Sequence, residues 1–423
     1  YLKVFANVTR DFLPSQKRNR GIIFMKKILA INSGSSSFKF KLFTFPDEKV
    51  ISEGLADRVG LEGSTFAIKV NGEKHKEEIA IPDSETAVTI LLKKLKKYNL
   101  INDPKEIIGI GHRIVAGGEE FKDSALVDQE TLKKIYDLKQ YAPLHNAVEA
   151  DVIKAFMKFL PDAAEVAVFD TSFHQSLDKV HYLYSLPYKY YKKYGARKYG
   201  AHGISVRYIS QEAAKILNRD LKDLRLIVCH LGSGASITAV KNGKSYDTSM
   251  GFTPVAGITM SSRSGDVDPS LLPFIMKKEN LSIDQMMKIL NHKSGLLGIS
   301  GISPDMRDLR SDVTPLSGEK KVRADLARNI FINRIVRYVG GYILEMGGLD
   351  GIIFTAGVGE HDYRVREGVM DSLKLLGLKP DLAANKNNDT FITKKDSKII
   401  GMVIPTNEEL MIERDVVRIA GLK

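Results

Sequence analysis

The chain has 423 residues, too many for one ordinary hydrophobic core and suited to two or three domains. Its 43% hydrophobic and 27% charged content is that of a soluble globular protein, and no apolar run approaches the ~20 residues that span a bilayer. The net charge of +12 suits anionic ligands, but no basic stripe with interleaved aromatics and no zinc-finger spacing supports nucleic acid as a partner.

Residues 1–24 hold Lys3, Arg10, Lys17, Arg18 and Arg20 against Asp11, a net +4 that leaves +8 for the rest. This stretch has no regular period, its apolar runs are short and broken, and it precedes Met25-Lys26-Lys27. It reads as a leader outside the fold. From Lys27 the run KILAINSGSSSFKFKLFTF predicts a buried strand, a small-residue hairpin from Ser33 to Ser37 and an alternating strand. Val148, Val152, Ala155, Phe156 and Phe159 predict a helix over 145–160 that stops at Pro161. AVAVFD predicts a buried strand ending at Asp170.

RLIVCHLGSGASITAVKNGKSYD then repeats the opening unit, with a hairpin from Gly232 to Ser236 and a second turn at Asn242-Gly243. Two matched units, each opening one half of the chain, suggest a duplicated domain. The single cysteine, Cys229, reads as a small buried hydrophobe; it permits no internal disulfide and fits a reducing, cytosolic compartment. Leu326 to Met346 has the helical period, with a bend expected at Gly340-Gly341. DGIIFTAGVGEHDYRVREGV predicts a buried strand, a glycine turn and a helix. Near the end, Thr406 and Glu409 read as the capping box of a helix that stops at Gly421. Strands alternating with helices place the fold in the α/β class.

Three groups of residues bear on chemistry. Backbone N–H groups of a glycine/serine hairpin can converge on phosphate oxygens; either turn alone is an ordinary hairpin, whereas a matched pair facing one cleft can hold two sides of a triphosphate. The pattern is not a Walker motif. Lys39, on the strand after the first turn, offers a point charge or is a solvated lysine. Arg113 in GHRIVAGGE and Arg263 in SSRSGDVDP lie in small-residue loops, where a planar guanidinium can grip a carboxylate or a transferring phosphoryl group. Asp170 at a strand end, with His145, His174 and His202 in loops, forms the third group, each with an alternative as a cap or a satisfied loop residue. A zinc site from His174, His181 and His202 is disfavoured by the irregular spacing. Asn32 and Glu408 offer oxygens for a magnesium ion that touches ATP.

INSGSSSFKF, GHRIVAGGE, APLHN, VFDTSFHQ, YLYSLPY, RKYGAHG, DTSMGFTP, RSGDVDP, SGLLGISG, FTAGVGE and PTNEE, in this order from about Met25 to Lys423, resemble the acetate kinase family. The resemblance implies duplicated RNase H-like domains of the actin and Hsp70 type flanking a nucleotide cleft. Their implied extents are 25–172, completed by 408–423, and 173–407. It also implies a cytoplasmic homodimer that transfers phosphate in line and reversibly between ATP and acetate, with magnesium or manganese. Carried over by motif, Asn32 and Glu408 are the metal pair, Lys39 is an ATP contact and Arg113 binds the carboxylate. Asp170 resembles the catalytic acid/base; because the nucleophile is already ionised, orientation or electrostatics suits it better than proton transfer. His202 and Arg263 stabilise the planar phosphoryl group, and His145 supports them. The same carry-over places His230, Leu231, Gly232, Ser233 and Gly234, with Asp305, Met306 and Arg307, at the nucleotide. Gly357, Val358, Gly359, Glu360 and His361 join them there. Val115, Leu144, Ala201 and Pro254 make the acyl pocket.

The chain departs from the family pattern at Ala116, Ala147, Glu149, Ala201, Val206, Ser233, Ser261, Ser262 and His361. Ala201, where the family has phenylalanine, enlarges the expected pocket and raises propionate or butyrate as the acceptor; one methylene discriminates by only ~1–3 kcal/mol. Val206 and Ser233 each remove a polar group expected near ligand, which raises a weakly active ATP-binding paralogue as a further alternative. A sugar kinase fits less well, because two loop arginines suit an anionic acceptor better than a neutral sugar.

Overall fold

The computed structural model describes residues 25–34, 36–142, 145–310 and 312–423. The leader expected over 1–24 and the pocket residue Leu144 lie outside the described residues. The strands are β1 (Lys27–Ser33), β2 (Ser37–Thr44), β3 (Lys49–Asp57), β4 (Thr65–Val70), β5 (Glu73–Glu78), β6 (Ile107–Ile114), β7 (Ala125–Leu126) and β8 (Ala164–Phe169). They form one sheet in the order β5-β4-β3-β2-β1-β6-β8-β7. A second sheet is built from β9 (Arg225–Leu231), β10 (Ala235–Lys241), β11 (Lys244–Thr248), β12 (Gly351–Thr355) and β13 (Ile400–Val403), in the order β11-β10-β9-β12-β13.

The sequence echo is therefore a topological repeat. In each sheet three antiparallel strands (β3-β2-β1 and β11-β10-β9) are followed by two parallel additions, β6 and β8 in the first and β12 and β13 in the second. Strand alternation sends successive side chains to opposite faces. Leu29 and Ile31 pack toward the helices Ser84–Lys97 and Asn146–Phe159, while Ile28 and Ala30 pack against the C-terminal helix Glu408–Ala420. In the second sheet Ile227, Cys229 and Leu231 face the helices Gly318–Met346 and Tyr363–Leu373, and Leu226 and Val228 face Gly203–Ile216. Cys229 is fully buried there, which pushes its thiol pKa up and away from reactivity.

The C-terminal helix reaches the first sheet because β6 carries glycines beneath it. A Cβ on Gly111 would stand 2.3 Å from an Ile412 methyl, and one on Gly109 would stand 2.5 Å from Val416. Asn407, not Thr406, caps this helix, accepting from the Leu410 N–H at 3.2 Å; Gly421 ends it with a left-handed φ. Thr406 is drawn away by Ser205, whose hydroxyl is 2.8 Å from its own. The helix Gly318–Met346 begins eight residues earlier than its apolar period and runs through Gly340-Gly341 without a break. The expected glycine turn after β12 is the short helix Ala356–His361, entered by Ala356 at φ +64°.

Candidate active site

β6 and β8 are parallel neighbours with Arg113 paired to Val168 and Ile114 to Phe169, so their C-terminal ends lie level. This register brings Arg113 to Asp170: Nη2 donates to Oδ2 at 2.5 Å, and Nη1 lies 3.5 Å from Asn32 Oδ1 at the end of β1. The C-terminal helix delivers Glu408 to the same place. Burial, then the charge of Asp170, pushes the Glu408 carboxyl up to about 7, against the pull of Arg113 and Lys39. Burial disfavours charge on Arg113, but the carboxyls of Asp170, Glu408 and Glu149 more than offset it and hold the guanidinium ionised. Lys39 is exposed and sits opposite Asn32 in the β1–β2 pairing.

The other wall comes from the second half of the chain. His202 enters the helix Gly203–Ile216 at φ +61°, a left-handed conformation that costs a non-glycine residue of order 1–3 kcal/mol. Contacts on three sides hold it: the Gly203 N–H donates to the Asp170 carbonyl at 2.9 Å, His202 Nδ1 is 3.0 Å from Ser236 Oγ, and its ring stacks on His230 at 4.1 Å. Burial, then the neighbouring His230, Arg113 and Arg263, hold the His202 imidazole neutral at ordinary pH. His145 is lowered in the same way, by burial and then by Arg113 and Arg263. Arg263 Nη1 lies 3.5 Å from the Pro254 carbonyl. Gly234, at the tip of the β9–β10 hairpin, makes room for both side chains: a Cβ there would be 3.1 Å from Arg263 Nη1 and 3.6 Å from His202 Nε2. Two arginines, a neutral imidazole and a carboxylate held by Arg113 thus meet between the two sheets.

Beside them opens a cavity of about 850 Å³ lined by Gly232, Ser233, Asp305, Met306, Arg307, Gly357, Val358 and His361, eight of the residues expected at the nucleotide. The sequence reading missed other wall residues, Ser261, Ser262, His292, Leu297, Pro304, Arg310 and Asp362. Ser261 and Ser262 flank Arg263, and that adjacency was the available signal. Several expected contacts are turned elsewhere. Leu231 is fully buried in the core. The Glu360 carboxylate accepts from the N–H groups of Ala356 and Thr406 at 2.8 and 3.2 Å, and the Gly359 carbonyl accepts from the buried Arg366 at 2.8 Å. His230 Nδ1 bonds Ser205 Oγ at 2.8 Å, so this histidine backs His202.

Three further expectations change. Val206 packs into the apolar core of the second sheet, so the polar group it lacks would not face the phosphate turns. Ala201 is buried in core contacts, and Val115 and Pro254 are half-buried. His174 has both ring nitrogens committed, to Ser245 Oγ at 2.8 Å and to the Ala201 carbonyl at 2.9 Å, and burial lowers it to about 4; it is a structural brace.

The donors around Arg113 fit a hard divalent cation. Asn32 and Glu408 supply only oxygen, burial and then the Asp170 charge raise the Glu408 carboxyl, and Asp170 Oδ1 is buried with no partner among the described residues. A +2 ion at this point would relieve both. The cluster of His181, Asp247 and Glu345 lies apart from the site, with Asp247 already paired to Lys198 at 2.5 Å.

The sequence profile of the acetokinase family matches residues 27–414. The chain belongs to this family. It is 52% identical over 398 residues to the acetate kinases of Bacillus velezensis and Bacillus subtilis, covering 94% of this chain and the whole of each relative. Among solved structures it is similar to Porphyromonas gingivalis acetate kinase (TM-score 0.89, 41% identity, 93% of this chain and 100% of that one). It is also similar to a propionate kinase from Francisella tularensis (TM-score 0.86, 37% identity, 93% and 100%). With these likenesses the two repeated sheets are those of the actin and Hsp70-type kinase fold, and membership places the chain among phosphotransferases with a carboxyl acceptor.

Proposed function

We propose that this protein catalyses the reversible transfer of the ATP γ-phosphoryl group to acetate, giving acetyl phosphate and ADP. The observation that carries the reading is the convergence of Arg113, paired with Asp170, on Arg263 and His202 from the opposite wall. Arg113 holds the acetate carboxylate. One carboxylate oxygen attacks the γ-phosphorus in line, its bond forming as the bond to the β-phosphate oxygen breaks and ADP leaves with the electron pair. Arg263 and the neutral His202 donate to the equatorial oxygens of the planar phosphoryl group, where negative charge is spread. Asp170 fixes the Arg113 fork and needs to take no proton. Asn32 and Glu408 would hold magnesium or manganese, which would neutralise phosphate charge when bound. The Gly232–Gly234 turn and the Gly357–His361 segment flank the nucleotide.

Acetate is preferred to propionate or butyrate on the names of the relatives at 52% identity and on the burial of Ala201, which leaves less of the pocket to enlarge than its small size suggests. The implied division into 25–172 with 408–423, and 173–407, is supported by the packing of the C-terminal helix on the first sheet. A homodimer is supported by exposed Val322, Leu326 and Leu344 at helical spacing on the helix Gly318–Met346. A cytoplasmic location agrees with the single reduced cysteine. Among the described residues no helix is long and apolar enough to cross a membrane. Hydroxamate capture of the acyl phosphate, run with acetate, propionate and butyrate, tests the reading: kcat/KM is expected to be highest for acetate, and acetate as the poorest of the three would overturn it.

A further inference from the structure

The segment that follows Arg113 is held by side chains from the first turn of the helix Asn146–Phe159. Asn146 Oδ1 accepts from the Ala116 N–H at 3.2 Å while its Nδ2 donates to the Ala116 carbonyl at 2.9 Å. Glu149 Oε2 accepts from the Val115 N–H at 3.1 Å, and Thr171 Oγ1 accepts from the Gly117 N–H at 3.1 Å. Of these braces only Glu149 is ionisable. It is 1% exposed, and among the described residues its Oε1 has no hydrogen-bond partner. The charged groups facing it are Arg113 on β6 and Asp170 after β8; on its own helix the nearest titratable neighbour is His145, one turn earlier.

We propose that Glu149 is a positioning residue for the acyl substrate, fixing the backbone behind Arg113 and setting how much positive charge Arg113 presents to an incoming carboxylate. The inference rests on the acetate reading above. Burial pushes the Glu149 carboxyl up to about 8, against the opposing pull of Arg113. At neutral pH the group is mostly un-ionised, and the Arg113 charge is answered mainly by Asp170, with a smaller share from Glu408. Above that pH a further negative charge arises beside Arg113 and repels the substrate carboxylate. Acetate is ionised throughout this range, so the change belongs to the protein.

The test is steady-state kinetics by hydroxamate capture between about pH 7 and 9, with acetate and ATP varied separately. In the unaltered protein the KM for acetate is expected to rise at least fivefold across this range while the KM for ATP stays within about twofold. Glu149→Gln keeps an amide oxygen for the Val115 N–H, so its neutral-pH KM should stay within about threefold and its pH profile should be flat. Glu149→Leu leaves that N–H unpaired and should raise the acetate KM about tenfold at every pH, with kcat little changed. An acetate KM that does not rise with pH, or a Glu149→Gln profile that rises in parallel, overturns the proposal. Absence of acetyl phosphate formation by the unaltered protein would instead overturn the acetate reading, so the two failures are distinguishable. If Glu149→Leu does not fold, the Glu149→Gln profile still decides.

Discussion

The two sheets share a five-strand core of the same order and direction, yet their strand ends carry opposite kinds of chemistry. At the ends of β1, β6 and β8 stand Asn32, Arg113 and Asp170, joined by Glu408 from the helix that covers this sheet. At the ends of β9 and β12 stand glycines, small residues and His230, which burial holds neutral. The first edge is suited to a small anion and a metal ion, for which fixed full charges are needed. The second is suited to a long, already charged nucleotide, for which open backbone and a roomy wall serve better. A duplicated scaffold positions both edges; the residues at the strand ends and on the covering helix distinguish them.

Substitutions can break this contrast from either side. The largest effect is expected for Arg263→Ala: kcat should fall about 10²–10³-fold with both KM values changed only a few-fold, because the lost donor acts on the transition state. Arg113→Leu should act mainly on the first edge, raising the acetate KM by about 10²-fold and leaving the ATP KM nearly unchanged, since the variant also strands the buried Asp170 charge. Arg366→Met attacks the second edge from behind. Arg366 is fully buried and donates to the Gly359 and Asn385 carbonyls and to the Asn385 and Asn388 side chains. Its loss should cost roughly 2–4 kcal/mol in denaturant titration and raise the ATP KM more than the acetate KM. Asn407→Ala removes the cap beside Glu408 and should cost about 1 kcal/mol, with the metal requirement weakened several-fold.

The smallest effect is a pH term in the first domain. Glu413, on the sheet-facing side of the C-terminal helix, is buried with both oxygens unpartnered among the described residues, and burial raises its carboxyl to about 7. The folded state therefore holds the proton more tightly than the unfolded state does. The stability this confers is present below the ordinary carboxylate range and is lost as pH rises toward about 7. Tm followed from acid to neutral pH should fall in the unaltered protein relative to Glu413→Gln; parallel curves would sink the assignment.

Much of this architecture is local enough to be written in residue order. The period-2 runs, the two Gly/Ser hairpins, the Asn242-Gly243 turn and the stop at Gly421 follow from alternation and turn chemistry acting over a few residues. Many of the candidate site residues were legible for the same reason: they stand at strand ends or beside small-residue turns, where α/β sheets meet ligands; Arg113, expected in a loop, is still within β6. The misreadings came from contacts distant in sequence. Thr406 fits a capping box, but Ser205, 201 residues away, takes its hydroxyl. Glu360 and Gly359 sit in a short helix that touches the cleft, but Thr406 and Arg366 turn their oxygens inward. Val206 is polar-adjacent in sequence and apolar-facing in space.

What the sequence by itself determined is the duplicated α/β plan, the loops that carry the chemistry and the pair of arginines suited to an anionic acceptor. Only the tertiary structure decided which of those residues point at one another. Glu149 shows this best: on its helix it is one acid in a first turn, and its meaning comes from β6, whose register sets Arg113 and Val115 against it in a buried space where an unshared charge is costly.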